Sequence, residues 1–344
     1  MKYFYSLLLL VLVSSNVSGQ IGGSSTYAFL QLPNSARIAS LGGELNAFAD
    51  DDLNLTFSNP SLLNPEMSGN LIANYVNYFA DINFGYVSYA HDLEKKGMFA
   101  AGMNYFNYGD FIEADETGLI TGTFKAADYA LNLLYSRRID SSFTVGVNVK
   151  PIYSQYERYA SFGLAADLGI TYASNNRLFA AALVIRNLGT QIKGYTTKNY
   201  ELLPLDIQLG VSQKLEHAPF RFSLVAHHLQ KIDLGYKKPD SKVNEFNAFG
   251  ESEKKSELDE IGDKIMRHFI MGVEFTPLKN FYLRMGYNYR RRQELKIDSR
   301  VAMVGFSWGF GIKISKFHVN YGRATYHLAG ASNHFSISTS LTDF

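Results

Sequence analysis

From about residue 70 onward, apolar and polar residues alternate along the chain in segments of about ten residues. In one segment the apolar residues Phe143, Val145, Val147 and Val149 alternate with Thr144, Gly146, Asn148 and Lys150. Successive side chains of a β-strand point to opposite faces, so this pattern gives each strand one apolar and one polar face. Such segments are typical of strands that cross a membrane, with lipid on one side and a barrel interior on the other.

Fourteen segments show this pattern, at residues 70–79, 82–92, 97–108, 127–138, 142–156, 160–173, 177–187, 204–215, 220–229, 267–276, 281–292, 299–310, 312–322 and 334–342. Short connections (93–96, 139–141, 174–176, 216–219, 277–280 and a turn at Gly311) alternate with long ones (109–126, 188–203, 230–266 and 323–333). Short turns on the periplasmic side and long outer loops are typical of outer-membrane barrels with an even number of strands. We therefore predict an all-β fold, a 14-stranded transmembrane antiparallel β-barrel.

The first nineteen residues have the pattern of an export signal. Lys2 precedes an apolar run at Leu7–Val13, and small residues follow up to Gly19, so we expect cleavage before Gln20. The apolar run is too short to cross a bilayer as a helix. We expect three parts: a signal peptide at 1–19, an N-terminal hatch at 20–66 and the barrel at 67–344, in the cell outer membrane.

Composition excludes several classes of protein. The 33 basic and 32 acidic residues nearly cancel, so no overall positive field would attract nucleic acid. The chain has no Cys, which excludes disulfides and metal sites built on thiolates. Fifteen charged residues lie in the stretch 237–267, which indicates a solvated outer loop. Tyr and Phe are frequent near the segment ends, as at Tyr75 and Tyr105, and predict aromatic girdles at the two membrane interfaces.

Residues 21–66 do not alternate and are too few for an independent domain. Their distinctive residues are Phe29-Leu30-Gln31-Leu32-Pro33, Ser35-Ala36-Arg37, Leu41-Gly42-Gly43, Asp50-Asp51-Asp52 and Asn59-Pro60-Ser61. Asn59 and Pro60 suit the N-cap and first position of a short helix, which is an alternative explanation of that part of the motif.

This N-terminal stretch resembles the opening of the PorV/PorQ family of the type IX secretion system, relatives of the FadL fatty-acid transporters. The resemblance extends through the strands to a terminal Phe344, and departs at Ser61, where relatives often have Ala. It implies a FadL-like barrel with a hatch whose motif includes Arg37, Gly42, Gly43, Asn59 and Pro60.

The same resemblance implies a function. It implies a non-enzymatic outer-membrane component that anchors a surface-exposed, PorZ-like partner in the complex that attaches exported proteins to lipopolysaccharide, with no cofactor and with the sortase on a separate chain. The alternative is a FadL-type outer-membrane transporter of small hydrophobic molecules. An apolar pocket beneath the hatch that continues to a gap near Pro151 would favour the transporter; a filled lumen with broad, ordered outer loops would favour the anchor.

Two stretches of the sequence resemble motifs for catalysis or for metal binding. The stretch Gly305–Gly309 matches the nucleophile-elbow pattern of hydrolases, but Ser307 falls in an alternating strand instead of a strand-to-helix turn. His227 and His228 are adjacent in the ninth predicted strand, so we expect their side chains to point to opposite faces and not to share a metal ion. We therefore predict neither an enzyme nor a metal site.

Three further groups of residues are candidates for binding or mechanics. Arg290, Arg291 and Arg292 end the eleventh predicted strand on the outer side, where guanidinium groups could contact lipopolysaccharide phosphates. Pro151 lies within the fifth strand, where it removes a ladder hydrogen bond and predicts a kink or bulge in the wall. Charged residues predicted inside the barrel should pair with each other or with the hatch: Lys150, Asp167, Asp206, Lys214, Glu274 and Arg284.

Overall fold

The computed structural model describes residues 25–78, 82–196, 200–235, 257–295, 303–327 and 330–343. Fourteen strands are present in these ranges: β1 (Asn70–Asn77), β2 (Asn83–Asp92), β3 (Met98–Ala114), β4 (Ile120–Arg138), β5 (Phe143–Tyr156), β6 (Tyr159–Ala173), β7 (Phe179–Lys193), β8 (Asp206–Lys214), β9 (Phe220–Ala226), β10 (Phe269–Leu278), β11 (Phe281–Asn288), β12 (Phe306–Ile314), β13 (Phe317–His327) and β14 (Gly330–Ser340). The expected signal peptide and Phe344 lie outside the described residues.

The strands form one closed antiparallel barrel in which each strand pairs with its neighbours in the chain. β1 closes the barrel by pairing with β14, from Asn70 opposite Ser340 to Asn77 opposite Asn333. Alternation along β1 places Ile72 in the buried interior, while Tyr75 is 50% exposed on the outside. The predicted 14-stranded barrel is therefore confirmed. No described helix has both the length and the apolar character needed to cross a membrane.

Several strand ends differ from the predicted ones. The predicted outer loop at 109–126 is a continuation of β3 and β4, which turn only at Asp115–Leu119. The predicted turn at Gly311 is wrong: this glycine lies within β12, and the chain turns at Ser315, whose φ is +53°. Alternation fixes which face a residue occupies, but it does not show where a strand leaves the membrane.

Exposed aromatic side chains lie along both ends of the barrel wall. At the end with the short turns, Phe143 and Tyr172 pack across two strands, with ring centroids 5.2 Å apart. Towards the other end, Tyr105, Tyr129 and Tyr153 follow one another across β3, β4 and β5 at centroid distances of 5.1 and 6.0 Å. Rings in these positions match the predicted girdles at the two interfaces of a bilayer.

The chain before β1, residues 25–69, lies inside the barrel and is called the N-terminal segment below. It contains helix α1 (Ala36–Ser40) and four short 3-10 helices at Ala28–Gln31, Leu53–Phe57, Pro60–Leu62 and Pro65–Met67. Helix α1 begins at Ser35, whose side chain accepts a hydrogen bond from the backbone N–H of Ile38. Most side chains of the segment are buried, so the segment fills the lumen.

Apolar side chains of the N-terminal segment take part in three clusters. Phe29 and Leu30 pack with Phe84 and Phe106 of the wall, and a second cluster joins Leu53 to the wall residues around Tyr86. A third apolar cluster lies within the segment itself and consists of Ile38, Leu41, Leu45, Phe48, Leu55 and Leu62. The interior of the barrel is thus a packed core built on the segment, with charged groups inserted at defined points.

Two α-helices are present outside the segment in the described residues. Helix α2 (Glu257–Met266) precedes β10, and helix α3 (Tyr289–Leu295) follows β11.

Candidate functional site

An ionic network joins the N-terminal segment to the barrel wall, and Arg37 of helix α1 is at its centre. The Arg37 guanidinium lies 2.8 Å from Asp50 and 3.1 Å from Asp52, both in the same segment. It also donates to Glu274 of β10, with 2.9 Å between Arg37 Nη2 and Glu274 Oε1. A planar guanidinium has five N–H donors in a fixed fork, so Arg37 can contact Glu274 and Asp50 through two hydrogen bonds each, a geometry that Lys does not offer.

The wall completes the network from β9 and β11, the two strands that flank β10. Arg284 of β11 donates to Glu274 at 2.7 Å, and Arg221 of β9 donates to Asp50 at 2.6 Å. Burial by itself raises the pKa of the Asp50 carboxyl, but Arg37 and Arg221 together hold that pKa well below its ordinary value. Three guanidinium groups and three carboxylates therefore compensate one another inside the barrel.

A cavity of about 630 Å³ opens beside this network at the end with the short turns. Its lining is mainly polar and includes Asp51, Glu66, Lys313 and Lys316. A polar cavity of this kind suits water and ions, whereas sites for hydrophobic ligands are mostly apolar.

The structure shows a role for each predicted residue of the hatch motif. Gly42 and Gly43 follow helix α1 with φ angles of +104° and +101°, which a residue with a Cβ rarely adopts. The Asn59 side chain accepts from the Ser61 backbone N–H, as an N-cap does, and donates to Thr171 of β6 at 2.9 Å. Pro60 is the first residue of the 3-10 helix that Asn59 caps. The motif thus starts a short helix and also ties the segment to the wall.

Glycines on the inner face of the wall make room for the N-terminal segment. A Cβ at Gly286 would overlap the backbone of Leu41 and Gly42, and one at Gly146 would overlap the backbone at Pro60. Similar close approaches occur where the segment meets Gly169, Gly210, Gly309 and Gly322. Strand glycines are otherwise unfavourable, so these positions indicate close approach of the segment to the wall, by its backbone at Gly146, Gly286 and Gly322 and by its side chains at Gly169, Gly210 and Gly309.

The predicted pairing of interior charges is confirmed for a second cluster. Lys150 of β5 lies 2.6 Å from Asp167 of β6, and both side chains are buried. Arg186 of β7 lies 2.9 Å from Glu44 of the N-terminal segment. Lys214, in contrast, lies at the exposed end of β8 and lines the cavity at the short turns.

Pro151 does not produce a bulge, one of the two predicted outcomes, and a kink in the wall stays a prediction. The register between β5 and β6 continues through Pro151, which lies opposite Leu164. Towards β4 the ladder omits Pro151 and its neighbour Lys150, yet the register on either side is the same. The register shift in this region lies between β6 and β7, near Asn187. Proline has no N–H group, so one hydrogen bond of the ladder is missing here, but the residues of β5 on either side of Pro151 keep the same register.

Arg290, Arg291 and Arg292 lie in helix α3 rather than at the end of a strand, because β11 stops at Asn288. The Asn288 side chain accepts the backbone N–H of Arg291 and starts the helix. Arg290 forms an ion pair with Glu294 at 2.7 Å, one helical turn away. Contact with lipopolysaccharide stays a prediction, now for a helix.

Ser307 lies on the inner face of β12, as predicted, and is buried. Its hydroxyl donates to the backbone carbonyl of Ser40 at 3.0 Å. The hydroxyl therefore holds helix α1 against the wall, and the strand context is not that of a nucleophile elbow.

The prediction for His227 and His228 is wrong. β9 ends at Ala226, before the two histidines, and His228 has a φ of +56°. Alternation therefore does not apply, and the two rings lie on the same side with centroids 4.7 Å apart. Together with Asp206 they form a cluster of side chains whose ligand atoms lie within 4.8 Å of one another. The sequence carries no signal that would place the end of β9 before His227 instead of after Leu229.

No protein-family model matches the chain, and no curated protein matches it. Solved structures with similar folds include the TodX monoaromatic hydrocarbon channel as its deltaS2 mutant, with 15% identity, a TM-score of 0.52, and coverage of 90% of this chain and 97% of that one. The Pseudomonas putida toluene transporter TodX gives 12% identity and a TM-score of 0.51 over 91% and 99% of the two chains. A Pseudomonas aeruginosa FadL homologue, with 9% identity over 89% and 97%, reaches only 0.45. The two likenesses with TM-scores above 0.5 show the fold, a barrel like that of TodX.

Proposed function

We propose that the protein is an outer-membrane barrel, closed by its N-terminal segment, that anchors a surface-exposed partner protein. Exposed apolar side chains on the outside of the wall suit a lipid environment. The packed N-terminal segment and its ionic network suit a plugged barrel better than an open channel. Within the PorV/PorQ family, the stretch from Phe29 to Gly43 is more like that of PorQ, which supports a place in the type IX secretion system.

The observation that carries the anchoring role is the hairpin of β3 and β4. These strands contain 17 and 19 residues, although about 9–11 residues are enough to cross a bilayer. Around the turn of the hairpin, Ile112, Leu119 and Ile120 are 65–67% exposed. A rigid hairpin with apolar residues at its end is a suitable docking surface for another protein.

A test replaces Ile112, Leu119 and Ile120 together by Ser. We expect the barrel to fold normally, because these side chains make few contacts, and we expect loss of a PorZ-like surface protein that co-purifies after gentle detergent extraction. The matched control is Ile139→Ser, which removes a side chain of similar exposure at the opposite end of the barrel. Equal recovery of the partner with the triple variant and the control would exclude this hairpin as the docking surface.

A second candidate function is transport of small hydrophobic molecules across the outer membrane. The likeness to TodX favours it more directly than it favours the anchor, because the TodX structures are named as a hydrocarbon channel and a toluene transporter. This function requires the N-terminal segment to move, since its apolar side chains now fill the interior.

A further inference from the structure

Asp206, His227 and His228 meet at the end of the barrel opposite the short turns. Asp206 is the first residue of β8, and the two histidines directly follow β9, so the cluster joins two neighbouring strands. One atom from each side chain, an imidazole nitrogen or a carboxylate oxygen, lies within 4.8 Å of the other two. The side chains of Asp206 and His228 are 3% and 11% exposed, and His227 is 5% exposed.

The backbone fixes this arrangement. The N–H of His228 donates to Asp206 Oδ1 at 2.6 Å, and the N–H of His227 donates to the carbonyl of His268 at 3.0 Å. The carboxylate of Asp206 also accepts from the side chain of Gln208 at 2.7 Å. Hydrogen bonds of this kind around a carboxylate orient it as the outer contacts of a metal site do.

One imidazole nitrogen of the cluster has no partner. His227 Nε2 is buried without a hydrogen-bond partner among the residues that the structure describes. His228 Nδ1, in contrast, lies 2.8 Å from Asp206 Oδ1. Buried polar atoms almost always have a partner, so an unpartnered imidazole nitrogen beside a His–Asp pair indicates a missing ligand.

The surroundings suit a cation. Asp206 supplies one negative charge, and both imidazoles are ligands in their neutral form. Arg186 and Arg290 bring positive charge close, but each is paired with a carboxylate, Glu44 at 2.9 Å and Glu294 at 2.7 Å. A cavity of about 250 Å³ is lined by both histidines, by Glu44 and Glu294 and by Arg290 and Arg291, and it leaves space for a water molecule.

We propose that Asp206, His227 and His228 form a binding site for a divalent transition-metal ion of the Zn²⁺ class. Two nitrogens and one carboxylate oxygen are a common set of three protein ligands for Zn²⁺, with water at the fourth position. In a Zn²⁺ site each ligand atom lies about 2.0–2.2 Å from the ion, so the ligand atoms are closer to one another than the 4.8 Å limit that holds in this cluster. Small side-chain rotations would therefore complete the site. The ion would cross-link β8 to the chain after β9. The proposal does not depend on either proposed function.

The test uses the full-length protein in detergent, without a polyhistidine tag, stripped of metal by a chelator. Titration with ZnCl₂ in a calorimeter should show one ion bound per chain, and Co²⁺ should give the visible bands of a tetrahedral nitrogen–oxygen site. His228→Gln and Asp206→Asn should each weaken Zn²⁺ binding by about 100-fold or more, since loss of an outer-shell contact alone costs about 10–100-fold. The matched control is His217→Gln, an exposed histidine in the short turn at the other end of the same hairpin.

The heat-dependent gel mobility of each variant shows whether its barrel has folded. Absence of stoichiometric Zn²⁺ binding by the wild-type protein would overturn the proposal without any variant. Binding that His217→Gln weakens as much as His228→Gln does would also overturn it, because the ion would then be held by surface histidines.

Discussion

At the scale of single residues, Arg37 illustrates how charge is accommodated inside the barrel. It is buried, contacts three carboxylates, and lies 5.2 Å from the centre of the Phe48 ring. A buried ion pair adds little stability over a well-packed apolar pair, but removal of one partner leaves an uncompensated charge. The structural role of Arg37 is therefore to fix one position of the N-terminal segment in the barrel.

We predict that Arg37→Met lowers the stability of the folded barrel by about 3–5 kcal/mol, because Glu274 and the two aspartates lose their shared partner. The midpoint of heat-dependent gel mobility measures this change. The control is Arg177→Met, which breaks a half-exposed ion pair of 2.6 Å between the wall and Glu66 of the same segment. Exposed pairs contribute at most about 1 kcal/mol, so the control should shift the midpoint little. Equal shifts would show that the buried network is not a stabilising link.

At the scale of elements, the fit between helix α1 and the wall depends on glycines. β11 and β13 approach the segment so closely that Gly286 and Gly322 leave no space for a side chain. The small residues of the inner wall thus leave the space that the N-terminal segment occupies, and the wall and the segment have complementary shapes.

We predict that Gly286→Ala destabilises the barrel by about 1–3 kcal/mol, the usual cost of overpacking, because the new methyl group displaces Leu41 and Gly42. Proteolysis within residues 25–69 in detergent should become faster, since the displaced segment is less well packed. Gly85→Ala is the control: it is also a strand glycine, but its nearest neighbour would be an ordinary contact at 3.4 Å. Resistance to protease equal to that of the control would contradict the proposed fit.

Sequence alternation was sufficient for the barrel because it records which face of each strand meets lipid. The number of strands follows from it directly, and so does the position of Lys150 and Asp167 on the inner face, where the structure pairs them. The local backbone geometry at strand ends and turns did not follow from the alternation. The end of β9 before His227, the end of β11 before helix α3 and the turn at Ser315 each depend on one or two residues. Such boundaries are decided by tertiary contacts, so the cluster at Asp206 could not be predicted from the sequence.

At the scale of the whole molecule, the two proposed functions differ in what the N-terminal segment must do. An anchor needs only a stable barrel, whereas a carrier needs the segment to move so that a solute can pass. The hydroxyls of Ser61 in the segment and Thr171 in β6 lie 2.7 Å apart. The chain has no Cys, so a pair of cysteines introduced there can form a disulfide only with each other.

We predict that the double variant Ser61→Cys, Thr171→Cys, when oxidised, retains its surface partner at the wild-type level. If the protein is instead a carrier, oxidation should abolish uptake of toluene into cells that carry the variant, and a reductant should restore it. The single variant Ser61→Cys controls for the loss of the hydroxyl. Partner binding that disappears only in the oxidised double variant would contradict this prediction, because it would show that anchoring requires a mobile segment. Uptake that continues with the disulfide formed would contradict transport through the lumen.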